Sequence, residues 1–198
     1  MARFDKQTIL DMTETFVRGV CQKREDGHGF EHVDRVRKMA LRLGKGVGAD
    51  PFITEMIALL HDVEDHKFEK EADVESFLGF FDLDEKTSVT ILAALPMISF
   101  SECPIPPEDF PIEGKVVQDA DRLDAIGAIG VARAFSYGGS KHRPMYGAEG
   151  STLEHFDEKL LLLDRYLNLE ESKAIATHRM EFLRTFYDEF VAETKAVK

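Results

Sequence analysis

The chain has 198 residues, with 25 lysine plus arginine against 37 aspartate plus glutamate and a formal net charge of -12. That length suits one compact domain whose core needs neither disulfides nor a structural metal, and that charge repels long DNA or RNA while leaving room for a small anion met by a cation and a few placed arginines. Cys21 and Cys103 have no CxxC partner, the start MARFDKQTIL is charged where a signal peptide would be apolar, and no later run approaches a membrane span, so a cytoplasmic protein with no membrane partner is expected.

The periodicity is helical nearly throughout, with no sustained apolar and polar alternation, which predicts an all-α fold. A first helix is expected from about Asp5 to Arg24, and a second begins near Gly29 and ends at Gly44, Gly46 and Gly48. Asp50 and Pro51 start the next, one as capping acceptor and the other at the first helical position. Glu71 to Phe81 and Asp84 to Leu95 read as two further helices, the second stopped by Pro96. Five of the seven prolines then fall between Pro96 and Ile112, a rigid irregular connection. Glu113 to Ser136 reads as one or two helices whose Gly127, Ala128, Gly130 and Ala132 suit close backbone packing. Tyr137 to Gly150, with Lys141, His142 and Arg143, has the composition of a functional loop, and Ser151 with Glu154 forms a capping box. Thr152 to about Leu167 and Glu170 to about Thr194 complete a helical hairpin, whose apolar stripes would serve a homodimer as well as the chain's own core. The whole is expected to be one domain over 1–198, with a core over about 25–135 and the hairpin over about 151–195.

Polar residues interrupt this pattern where chemistry needs them. Ile53, Met56, Ile57, Leu60 and His61 share one helical stripe, so His61 and its neighbour Asp62 face inward at a helix end. An ionised aspartate buried without a cation or several donors costs several kcal/mol, and a metal relieves that cost most directly. His32 shares a face with Val36 and Met39, where a core histidine bonded to a carbonyl is the plainer alternative. Asp119, Asp121 and Asp124 compete for a further ligand position. Helical phase favours Asp121 as the inward group, leaves Asp119 as a solvated or helix-stabilising carboxylate, and lets Asp124 orient a ligand or meet a substrate sugar.

His32, the pair His61 and Asp62, and Asp121 resemble, in order and spacing, the H…HD…D signature of the HD superfamily of metal-dependent phosphohydrolases. The flanking HxxxHVxRV around His28 and His32, LLHDVEDHKF from Leu59 to Phe68 and QDADRLDAIGAIG from Gln118 to Gly130 look like a small, single-domain, bacterial-type subgroup. The resemblance implies a single-domain HD-type helical bundle with one divalent cation on His32, His61, Asp62 and Asp121; only His66 lies where two-metal members carry extra histidines. Manganese, nickel, iron, zinc and magnesium all suit two imidazoles and two carboxylates. The implied activity is hydrolysis of nucleotides or related small phosphorylated compounds, with metal-activated water attacking a phosphoryl group. Asp65 would take the proton of that water, and His28, Arg35, Lys67, Arg122 and Asp124 would meet the substrate, Arg122 first among them because related members place a basic residue beside the last metal aspartate. The alternative is a metal or nucleotide sensor that binds without appreciable turnover.

Overall fold

A computed structural model describes residues 4–22, 29–64 and 73–196, and all regular structure among them is helical. These residues fall into two compact units, 4–22 with 29–121, and 122–196. No helix among the described residues is long and apolar enough to cross a membrane.

The first unit is built around a buried helix. Its elements are α1 (Lys6–Cys21), α2 (Phe30–Val47), α3 (Pro51–Leu60), α4 (Val74–Gly79), α5 (Glu85–Ala94), a 3-10 turn at Leu95–Met97, and most of α6 (Ile112–Asp124). Asp50 starts α3 as expected, its Oδ1 accepting from the Phe52 and Ile53 amides at 2.8 and 3.1 Å. Helices α1, α2 and α5 pack around α3. Met56, Ile57, Leu59 and Leu60 are buried to within 1% of full exclusion, each contributing about 1.5–3 kcal/mol of transfer free energy.

Several ends differ from the sequence expectation. Helix α2 passes through Gly44 and Gly46 and stops only at Gly48, whose φ of 71° lies in the left-handed region that terminates helices. Pro96 does not stop the helical path but sits in the 3-10 turn that prolongs α5, where its missing amide costs nothing. Helix α4 ends at Gly79, two residues before the expected Phe81, with Asp73 capping it through the Ser76 amide, and its Phe77 stacks on Phe16 of α1 with ring centroids 4.2 Å apart.

The second unit holds α7 (Gly127–Ser140), α8 (Glu154–Glu158), a 3-10 run at Leu160–Tyr166 and α9 (Glu170–Ala196). The small residues of α7 do allow close packing: a Cβ on Gly127 would lie 3.2 Å from Arg179 Cβ on α9, and one on Gly138 would lie 2.1 Å from Thr152 Oγ1. Helix α7 therefore runs four residues past Ser136 into the expected loop. Beyond its end at Ser140 the chain turns at His142, at φ 54°, where the Arg143 amide donates to the Gly138 carbonyl at 2.9 Å. The hairpin's first helix is a correction, being five residues of α-helix followed by a 3-10 run. Spacing by three places Leu160 and Leu163 above one another, both buried, and that spacing matches the 3-10 repeat. The capping box is half formed: Ser151 Oγ accepts from the Glu154 amide, but the Glu154 carboxylate takes the Gly150 amide. Phe135, Phe156, Phe186 and Phe190 form one ring cluster. Beside it the Tyr187 hydroxyl donates to Asp157 at 2.6 Å, a bond that pushes the phenol up to about 12.

A Cβ on Gly114 would stand 2.5–2.9 Å from three ring carbons of Phe110, itself 4% exposed. Alanine ordinarily gains about 1 kcal/mol over glycine within a helix, so Gly114→Ala reverses that sign and costs about 1–3 kcal/mol in denaturant unfolding. Arg37 joins three helices, its Nη1 bonding Glu14 of α1 and its Nε bonding Glu55 of α3, each at 2.7 Å. Partial burial pushes the Glu14 carboxyl up, but bonds from Arg18 and Arg37 outweigh it and hold the group below its ordinary 4.5. A depressed carboxylate stabilises the fold above its unfolded pKa and loses that contribution as pH falls through the folded value. Since 29% of the Glu14 side chain remains exposed, Arg37→Met is expected to cost about 1–2 kcal/mol at neutral pH. The difference from wild type should narrow in unfolding curves taken below about pH 4.

Candidate metal centre

Three helices bring nitrogen and oxygen donors together within the first unit. His32 enters on the first turn of α2, closed by its own amide donating to the Gly29 carbonyl at 3.0 Å, and its side chain is 1% exposed. His61 is the C-terminal cap of α3, still helical at φ -57° and ψ -31°. Its Nδ1 lies 2.8 Å from the Ala58 carbonyl, which can only accept, so Nδ1 carries the proton and Nε2 presents its lone pair. Asp121 arrives on α6 with its side chain 23% exposed.

These donors lie at the separations one ion requires. His32 Nε2 is 3.2 Å from His61 Nε2 and 3.4 Å from Asp121 Oδ1. Two donors, each about 2.1 Å from a shared cation, stand about 3.0 Å apart at a right angle and about 3.4 Å apart at the tetrahedral angle. Two imidazole nitrogens facing at 3.2 Å need a proton or a cation between them. Among the described residues this trio has donor atoms all within 4.8 Å of one another. Asp62 stands just outside it: 5% exposed, with Oδ2 3.8 Å from His32 Nε2. Three of the four expected ligands thus converge, and the fourth flanks His32.

The remaining expectations divide. Asp119 corrects the reading of helical phase, because it is fully buried rather than solvated. Helix α6 buries Val116, Val117, Gln118, Asp119, Ala120, Arg122 and Leu123, more than half its circumference, so a single inward face does not exist there. Arg122 and Asp124, expected to meet the substrate, have other partners in the second unit. Arg122 is 1% exposed and its Nη1 donates to the Tyr166 carbonyl. Asp124 accepts from Arg133 Nη1 at 3.0 Å, both side chains mostly buried. A buried guanidinium must keep its acceptors, which is why helical adjacency to Asp121 does not bring Arg122 to open solvent. Arg35 lies three residues beyond His32 on α2 and is half-buried. His28, Asp65 and Lys67 lie outside the described residues. Sequence reasoning missed the Ala58 carbonyl, whose only signal is its position three residues before a histidine at a helix end.

The HD domain family model matches residues 29–126, the segment that carries every one of these donors. YpgQ of Bacillus subtilis is 36% identical over 182 residues, covering 89% of each chain. A crystal structure of YpgQ in complex with ADP superposes with a TM-score of 0.81 at 33% identity, over 95% of this chain and 96% of that one. A protein from Lactobacillus plantarum reaches 0.89 at 34% identity over 98% and 100% of the two chains. An HD-superfamily hydrolase from Bacillus thuringiensis reaches 0.75 at 39% identity over 97% and 100%.

The donor set predicts uptake of one divalent cation that stabilises the fold by mass action, by about 2.7 kcal/mol at a hundredfold excess over the dissociation constant, and so raises the thermal midpoint. His61→Ala should keep the fold and lose both the stoichiometric cation, read by elemental analysis, and the cation-dependent rise in midpoint.

Proposed function

The chain belongs to the HD superfamily of metal-dependent phosphohydrolases, and from that premise we propose that it hydrolyses nucleotides or closely related small phosphorylated compounds. The observation that carries this reading is the convergence of His32 Nε2, His61 Nε2 and Asp121 Oδ1 at 3.2 and 3.4 Å. The ADP bound by YpgQ supports a nucleoside phosphate as the substrate class.

A divalent cation held by this set supplies a Lewis acid for a phosphoryl oxygen and makes water acidic enough to ionise near neutral pH. The chain's own residues do the rest. The Ala58 carbonyl keeps the His61 ring in one tautomer and one orientation, so its Nε2 is presented without a search among rotamers. Asp62, with Oδ2 3.8 Å from His32 Nε2, adds negative charge that favours a cation beside it. Asp65 is assigned as acceptor of the attacking water's proton, on its offset of three residues from Asp62. Arg35, with Lys67 and His28, is assigned to the phosphate oxygens, where fixed positive charge offsets the charge that develops on the transferring group. Arg122 and Asp124 are left out of this assignment, since Tyr166 and Arg133 already engage them.

The test incubates cation-loaded protein with nucleoside mono-, di- and triphosphates and follows orthophosphate and pyrophosphate separately. Turnover of at least one class is expected, with Asp65→Asn lowering kcat by about a hundredfold to ten-thousandfold at nearly unchanged KM. Nucleotide binding by calorimetry without product release, in protein shown to hold its cation, would replace hydrolysis by the sensor reading.

A further inference from the structure

The cation site depends on where α6 holds Asp121, and the geometry points to Gln118 as the residue that sets this position. Gln118 lies three residues before Asp121 and is fully buried. Its Nε2 donates to two main-chain carbonyls, Met97 at 2.7 Å and Cys103 at 3.2 Å. Both acceptors are carbonyls, so the nitrogen of the carboxamide is the atom that faces them.

Those carbonyls connect α6 to the helix that carries His61. Met97 closes the 3-10 turn that prolongs α5, and α5 packs on α3, whose C-terminal cap is His61. The turn at 99–103 is closed by the Cys103 amide donating to the Ser99 carbonyl at 2.9 Å, which fixes the second acceptor relative to the first. One carboxamide thus references α6 to the α5 and α3 frame.

Apolar burial alone does not supply this precision. Val116, Val117, Ala120 and Leu123 hold α6 in place, but burial is non-directional and tolerates rolling or sliding of a helix by fractions of an ångström. Metal ligands tolerate about 0.2 Å. A pair of directional hydrogen bonds one turn away removes the freedom that burial leaves. Gln118 is therefore a positioning residue: it touches neither cation nor substrate and acts through Asp121.

This inference rests on the metal-centre reading, and the experiment separates the two. Wild-type protein, Gln118→Met and a control from the second unit, Leu163→Ala, are titrated with Co²⁺ alone, following affinity and the visible absorption that reports coordination geometry. Gln118→Met is expected to bind Co²⁺ at least tenfold more weakly with altered band intensity, while Leu163→Ala loses stability and keeps wild-type affinity and spectrum. If Gln118→Met does not fold, Gln118→Asn, which keeps the amide but shortens its reach, is read the same way. Wild-type affinity and spectrum in a folded Gln118 variant overturn the positioning role and leave the centre standing. Failure of the wild-type protein to take up Co²⁺ overturns the centre itself and the inference with it.

Discussion

Helix α3 is the constraint from which the first unit follows. Seven of its ten residues are buried, and α1, α2 and α5 surround it. Its end is therefore a place where water is scarce and polar groups are costly. His61 and Asp62 stand there. His61 satisfies one nitrogen within its own helix, through Ala58, and turns the other towards His32 and Asp121. A solvated helix end would let the same two residues scatter among rotamers.

The polar groups around this end illustrate two solutions to one problem. At the donor trio, separations of 3.2 and 3.4 Å bring nitrogen and oxygen lone pairs towards one point, an arrangement that a cation completes. Elsewhere buried charge is balanced within the protein. Arg37 gathers Glu14 and Glu55, Arg133 pairs with Asp124, and Arg122 takes the Tyr166 carbonyl. The contrast explains why proximity in sequence is a poor guide to function on α6. Asp121 belongs to the donor trio, while Asp119 is entirely buried and Arg122 bonds to a carbonyl; the three lie within four consecutive residues.

Glycine and proline show the same dependence on context. Gly44 and Gly46 look like helix terminators, yet only Gly48 takes the left-handed conformation that ends α2. Pro96 reads as a stop, and the chain absorbs it in a 3-10 turn whose closing carbonyl becomes an acceptor for Gln118. The connection at 98–111 is irregular, as its four prolines require, and it is also fastened: Phe110 and Ile98 are buried, and Gln118 holds its first turn.

The resemblance to the HD signature joined three ligand segments into one expected site, whereas the sequence by itself determined the helical class, the capped start of α3, and the inward placement of His61 with Asp62. Each is encoded locally, by periodicity, by capping chemistry, or by a polar pair in an apolar stripe whose cost demands a partner. That Asp119 is buried as well as its neighbours, that Arg122 bonds a carbonyl, and where α2, α7 and the hairpin's first helix end were decided only by tertiary packing. A helix wrapped on more than one side has no single inward face. A buried guanidinium goes where an acceptor waits, and a glycine or a three-residue leucine spacing acquires its conformation from the neighbour that presses against it.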